Sequence, residues 1–210
     1  MGTFITFEGS EGCGKTSVIK LVSEQLKATG IEIVCTKESE DEKLSEKIYD
    51  ILKTSSNIDY ITESLLYATC RNHTLNNIII PNLEKDKVVL CERFIDSSYV
   101  YQGIVKNMGL DQIMAINSLV VKNYMPELTI YIDAAPEKCL SRSKKNGKRK
   151  SDLESLDFFN KVRDAYIMIG KIFKDRIITI NGNQPLEKVA KDAYEAIDVF
   201  LRSKKNEGIF

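Results

Sequence analysis

The chain alternates between short apolar runs and longer stretches in which apolar residues return every three or four positions. The first run, Thr3-Phe4-Ile5-Thr6-Phe7, is β-branched and aromatic, ends at Glu8, and predicts a strand. From Lys15 to Thr29, Val18, Ile19, Val22 and Leu26 recur at helical spacing and stop at Gly30, a residue suited to the position just past a helix end. Ile31-Glu32-Ile33-Val34-Cys35 predicts the second strand and completes a β-α-β unit. A helix follows with Leu44, Ile48, Ile51 and Leu52 on its inner face. A longer one is expected from about Tyr60 to the late seventies, ending before Pro81, because proline disfavours helical backbone in the residue preceding it. Lys87 to Cys91 is apolar after its first residue, as expected of a strand covered on both faces of a parallel sheet. Asp96 to Gln102 reads as a short helix or turn, and Leu110 to Tyr124 as another helix. Glu127 to Asp133 is the fourth strand and Pro136 opens the next helix. Phe158 to Phe173 is helical, Arg176 to Ile180 is the fifth strand, Leu186 to Leu201 the last helix, and Ser203 to Phe210 a loose tail.

Strands alternating with helices predict an α/β fold: a five-stranded parallel sheet, doubly wound, with right-handed crossovers and helices flanking both faces. The 210 residues contain no repeat, low-complexity segment or linker, so residues 1–210 are expected to form a single domain.

Composition narrows the class. Hydrophobic residues make up 43% and charged ones 29%, a globular balance without a membrane-spanning run. Thirty basic residues offset thirty acidic ones, so no global field recruits nucleic acid or anionic lipid, and any polyanion site must be local. The five cysteines lack C-x-x-C spacing, which argues against a disulfide framework or a zinc site and for a reducing, cytoplasmic setting.

Chemistry enters with Gly9-Ser10-Glu11-Gly12-Cys13-Gly14-Lys15-Thr16, which fits the phosphate-binding pattern G-x-x-x-x-G-K-[ST]. Glycines let the backbone curl around an oxyanion, amides and the following helix start point at phosphate, Lys15 adds positive charge, and Thr16 offers a hydroxyl to Mg²⁺. The plain alternative is a glycine-rich turn. A strand before the pattern and a helix after it favour the phosphate reading. Glu92-Arg93-Phe94 places a carboxylate and a guanidinium at the carboxyl edge of the sheet, where open α/β proteins bind ligands; a salt-bridged strand end is the alternative. Ser64, Tyr67 and Arg71 share a helix face, and by spacing alone they read as a partly exposed tyrosine packed under a surface arginine. Arg142 to Lys150 holds six cations in nine residues, a solvated run unless it serves a nucleotide site, where it would be a lid spanning about 142–155.

Taken together, these residues resemble a bacterial-type thymidylate kinase of the P-loop nucleoside monophosphate kinase family. Phe7 to Thr16 is similar to the family's phosphate loop, including the acidic Glu11. Tyr67 and Arg71 match a helix in which an aromatic residue precedes an arginine by four. Glu92-Arg93-Phe94 stands where the family has Asp-Arg-Tyr, and Ile95-Asp96-Ser97-Ser98 with Tyr101-Gln102-Gly103 continues that motif. Leu156-Asp157-Phe158-Phe159 and Asn183-Gln184-Pro185-Leu186 are also family-like.

The resemblance implies a three-layer P-loop NTPase fold and transfer of a phosphoryl group from ATP to dTMP, giving ADP and dTDP for dTTP synthesis, with Mg²⁺, in a cytoplasmic homodimer. Gly9, Ser10, Glu11, Gly12, Cys13, Gly14, Lys15 and Thr16 would hold ATP, and Thr16 and Glu92 the metal. Arg93 would clamp the acceptor phosphate, and Glu11 would meet the sugar 3′-OH. Tyr67 would stack on thymine, Arg71 would bond its edge, Ser97, Ser98 and Gln102 would complete the polar wall, and Tyr101 would crowd the C2′ side. Lys15, Arg93, Glu92, Arg149 and Lys150 form the implied catalytic set. The sequence also departs from the family. Arg-Glu-Pro-Gly-Gly becomes Lys37-Glu38-Ser39-Glu40-Asp41, leaving Glu38 in the acceptor set. An arginine of the next helix is replaced by Tyr49, with Lys47 and Lys53 as stand-ins, and the lid's Asp-Arg aligns with Arg149-Lys150. The alternatives are a kinase for another nucleoside monophosphate and a nucleotide binder that has lost transfer.

Overall fold

The computed structural model describes residues 2–38, 43–55, 57–145 and 155–206. Its centre is β1 (Thr3–Glu8), buried at every position because helices cover both faces and strands flank both edges. β1 pairs in parallel with β3 (Val88–Glu92) on one side and β4 (Leu128–Asp133) on the other. β2 (Ile33–Lys37) and β5 (Ile177–Asn181) form the edges, giving the order β2-β3-β1-β4-β5. Alternate residues of β1 feed two cores. Ile5 and Phe7 face α1 (Lys15–Ala28) and α9 (Leu186–Asn206), whereas Phe4 joins a cluster with Leu75, Ile79, Ile113 and Ile169 on the opposite face. All five expected strands are present, with edges displaced by no more than two residues.

Three expectations need correction. The helix predicted to stop before Pro81 continues past it: α3 (Tyr60–Thr74) opens into a π-turn at Leu75–Ile79 and then α4 (Ile80–Leu83). Proline lacks an N–H and its ring collides with the carbonyl four residues back, and the wider π-turn accommodates both defects. In α2 (Lys43–Thr54), Ile48 is buried as expected, but Leu44 and Ile51 are 44% and 48% exposed. Ser45, small enough for close approach to α3, takes the inward position beside Ile48 and rotates the predicted stripe outward. The segment read as a loose tail is helical through Asn206, because buried Lys204 bonds Gly2 O, Thr3 Oγ1 and Glu127 Oε2 at 3.3, 3.0 and 2.5 Å. Residues 207–210 lie outside the described residues. The segment after β3 is helical, as expected: a short α5 (Ile95–Ser98) widens into a seven-residue π-helix, Tyr99–Val105. The remaining helices among the described residues are α6 (Leu110–Val121), α7 (Pro136–Lys145) and α8 (Leu156–Ile172).

Candidate active site

Above the carboxyl ends of β1 and β3 lies a cleft of about 1000 Å³. Its floor is the loop between β1 and α1. Gly9 and Gly12 adopt φ of 144° and 76°, in the range that disfavours any side chain. A Cβ on Gly12 would stand 2.4 Å from the carbonyl of Cys139, so the loop packs against α7 only because that position is bare. α1 starts at Gly14 without a side-chain cap, leaving its first-turn amides available to an anion.

Lys15 is buried, and its Nζ donates to the carbonyls of Gly9 and Ser10 at 3.1 and 3.0 Å. Burial and then the positive charge of Arg93 push its pKa below the usual lysine value, with Glu92 and Glu8 opposing. The ammonium is therefore under-neutralised, which favours an arriving phosphate. Next to it, the Thr16 hydroxyl donates to Glu92 Oε2 at 2.6 Å, and Lys37 Nζ approaches the same oxygen at 3.9 Å.

Arg93 occupies the left-handed region, with φ of 65°. Its amide bonds Phe7 O at 3.0 Å, which ties the turn to the end of β1. The guanidinium lies over the Tyr101 ring, 5.4 Å from the centroid, and Nη1 reaches Ser97 Oγ at 3.1 Å and Tyr166 OH at 3.4 Å. Both hydroxyls also contact the fully buried carboxylate of Glu8.

On the side away from the glycine loop, Tyr67 lines the cleft with its ring edge-on to Tyr49 at 5.9 Å, while Lys53 Nζ sits 5.3 Å above the Tyr49 ring. Burial, then Tyr49, Glu63 and Glu38, keep the Tyr67 hydroxyl protonated well past the usual tyrosine range. Gln102 donates to Glu63 Oε1 at 2.8 Å, and Lys106 pairs with the other oxygen of Glu63. Arg142, on the last turn of α7, bonds Gly12 O at 3.4 Å and lines the cleft with Lys145.

A single cleft thus joins a phosphate-binding loop to a second wall of aromatic and hydrogen-bonding groups, which suits a reaction between two nucleotides. Comparison with known proteins agrees. The thymidylate kinase family model matches residues 7–193. A thymidylate kinase from Clostridium novyi is 42% identical over 96% of this chain and 98% of its own, and one from Oceanobacillus iheyensis is 42% identical over 99% and 94%. The crystal structure of thymidylate kinase from Ehrlichia chaffeensis superposes with a TM-score of 0.77 at 26% identity, covering 93% of this chain and 98% of that one. This chain belongs to the thymidylate kinase family.

The enzyme accordingly transfers a phosphoryl group from ATP to dTMP, giving ADP and dTDP, on a P-loop α/β scaffold. Among thymidylate kinase residues anticipated from the sequence, Glu11, Lys15, Thr16, Glu38, Tyr67, Glu92, Arg93, Ser97, Ser98, Tyr101 and Gln102 all line the one cleft. Arg71 does not. It is completely buried, not the surface arginine that its spacing suggested: Nη2 reaches Ser98 Oγ at 2.7 Å and Glu38 Oε1 at 2.5 Å, and Nη1 bonds Asn117 Oδ1. It therefore stands behind the wall that Ser98 and Glu38 present, because Asn117 of α6 and the Phe94 ring, 5.6 Å from its guanidinium carbon, enclose it. Arg149, Lys150 and most of the proposed lid at 142–155 lie outside the described residues, as do Ser39, Glu40 and Asp41. The sequence reading passed over Glu8, Glu63, Lys106 and Tyr166. Only Glu8 carried a signal, as a carboxylate directly before the first loop glycine.

Proposed function

We propose that ATP lies with its phosphates on Gly9 to Thr16 and that dTMP lies between Tyr67 and Arg93, end to end in the one cleft. The carrying observation is that Lys15, at the start of α1, and Arg93, directly after β3, open into the same space. Transfer between two bound phosphates is chiefly positioning and neutralisation of the charge spread over the moving group. Lys15 would leave its two carbonyls for the donor phosphates. Arg93, whose planar fork matches phosphate oxygens, would hold the acceptor. Tyr67 would stack on the base, with Ser97, Ser98 and Gln102 beside it. Arg71 would act by holding Ser98 and Glu38 in place. Tyr101 would pack against the sugar under Arg93, and Glu11 would accept from the 3′-OH.

Mg²⁺ fits the pair Thr16 and Glu92, a hydroxyl and a carboxylate already 2.6 Å apart at the loop's mouth. Among the described residues no cluster of three or more acidic, histidine or cysteine side chains offers a protein-only cage. That is the pattern of an ion that takes most of its ligands from phosphates and water. Bound there, it would neutralise charge on the donor phosphates. Lid cations Arg149 and Lys150 would complete that neutralisation over the donor.

ADP release measured with dTMP, dUMP, dCMP, dGMP and dAMP side by side tests the acceptor assignment. dTMP is expected among the best acceptors, and its absence from that group would remove the thymine pocket from the Tyr67 wall. Lys53 is expected to share the acceptor phosphate with Arg93, because its ammonium lies over the ring of Tyr49 and both line the cleft, whereas Lys47 is exposed and does not line it. Lys53→Gln should raise KM for dTMP about fivefold with KM for ATP unchanged, the effect of one partly solvated charge. Lys47→Gln should leave both constants unchanged in the same steady-state assay.

A homodimer is part of the same reading. Its support is the resemblance together with apolar side chains left open on the packed pair α3 and α6: Ile61, Leu65 and Leu119 are 56%, 50% and 86% exposed. A cytoplasmic setting accords with cysteines that are all free among the described residues, where no helix is long and apolar enough to cross a membrane.

A further inference from the structure

Glu8 is the last residue of β1 and is wholly buried, yet its carboxylate has all of its acceptor positions in use. Oε1 accepts from the amides of Phe94 and Ser97 at 2.8 and 3.2 Å. Oε2 accepts from Ser97 Oγ at 2.7 Å and Tyr166 OH at 2.8 Å. Those two hydroxyls lie 3.2 Å from each other and are the same two that Arg93 Nη1 reaches. When each hydroxyl gives its proton to Glu8, its oxygen lone pairs are turned toward the guanidinium. The carboxylate also pins the peptide that follows Arg93, a residue in a backbone region that non-glycine residues rarely occupy. One buried group thus restrains Arg93 at both ends, from three separate elements: β1, the turn into α5, and α8.

We propose that Glu8 is the positioning residue for Arg93, fixing through Ser97, Tyr166 and the Phe94 amide the orientation in which the guanidinium meets the acceptor phosphate. This rests on the reading of Arg93 as the acceptor clamp. A buried carboxylate is a costly way to fill space, and an apolar side chain of similar size would pack more cheaply. Its presence at this position is explained if the charge is needed to orient donors.

The protonation state of Glu8 gives the role a signature. Burial, then the charge of Asp96, raise its pKa to about 7, against the opposing influence of Arg93 and of the Ser97 and Phe94 bonds. Lys15 on α1 and Arg176 before β5 also sense its charge, and Tyr166 faces it from α8. The carboxylate form accepts four bonds; protonation converts one acceptor into a donor and loosens the hydroxyls. Arg93 is therefore held best above this pKa and less well as pH falls through it.

The test is equilibrium calorimetry of dTMP with the full-length enzyme. Glu8→Gln keeps the size but replaces one oxygen with an amide donor. It is expected to weaken dTMP about tenfold, the scale of a lost charged hydrogen bond, and to leave ATP affinity unchanged. In an Arg93→Ala background the same change should add no further loss. Equal losses in both backgrounds, or full dTMP affinity in Glu8→Gln, would overturn the positioning role. If Arg93→Ala alone leaves dTMP affinity intact, it is the clamp reading that fails. Should Glu8→Gln not fold, Tyr166→Phe removes one link only; a loss of about threefold, absent when Arg93 is alanine, supports the proposal, and no loss overturns it. Wild-type affinity should also fall more steeply below pH 7 than that of Glu8→Gln, in which the phosphate of dTMP and Glu38 still titrate but position 8 does not. Parallel profiles would count against the proposal.

Discussion

Lys15→Ala is expected to lower kcat about 10²- to 10³-fold, the loss seen when a preorganised charge is removed from a developing anion. Among the described residues the side chain belongs to no core cluster, and its ammonium is held by carbonyls and a thiol of its own loop. Its folding role is therefore small beside its chemical one. Single-turnover formation of dTDP measures the effect, with circular dichroism confirming the fold, and Lys15→Met separates the charge from the volume. An unchanged kcat would dissociate Lys15 from the donor phosphates. A pH dependence accompanies this prediction. Because burial and Arg93 lower the pKa of Lys15, the free enzyme should lose its ammonium at a lower pH than an ordinary lysine would. The alkaline fall in kcat/KM for ATP should therefore begin early. Bound phosphates stabilise the ammonium, so the corresponding fall in kcat should move to higher pH.

Arg93→Ala should reduce kcat/KM for dTMP about 10³-fold by raising KM and lowering kcat together, with little change in KM for ATP. A phosphate desolvated in a cleft without its guanidinium costs roughly 3–5 kcal/mol. Position 93 permits a control that most arginines do not. Its φ of 65° strains alanine, whereas glycine adopts it freely. Arg93→Gly should therefore lose as much activity as Arg93→Ala while unfolding at a higher urea concentration. If glycine restored activity, the backbone turn and not the guanidinium would be the functional element. Arg93→Lys should recover only part of the rate, since a single ammonium cannot reproduce the fork over Tyr101.

Much of the fold was legible because a strand buried on both faces must be largely apolar or β-branched, and β1, β3 and β4 are so up to the carboxylates that end them. The glycine loop was legible for a local reason as well: phosphate is met by backbone, so the positions that must be bare appear as glycines at fixed spacing. Pro81 and α2 misled for opposite reasons. A π-turn rescues a residue that local rules forbid, and a close helix pair turned Ser45 inward in place of the bulkier Leu44.

By itself, then, the order of residues determined that this chain forms a parallel α/β sheet with a phosphate loop after its first strand, and that Glu92 and Arg93 emerge beside it. Those features depend on near neighbours along the chain and on burial, both of which leave periodic marks. Tertiary structure alone decided that Arg71 would sit behind Ser98 and Glu38, that the Tyr49 ring of α2 would meet Tyr67 of α3, and that Glu8 would meet Tyr166 from 158 positions away. Hydrogen bonds and ion pairs between distant elements obey distance and angle in space, and no spacing in the chain encodes which donor will arrive at which acceptor.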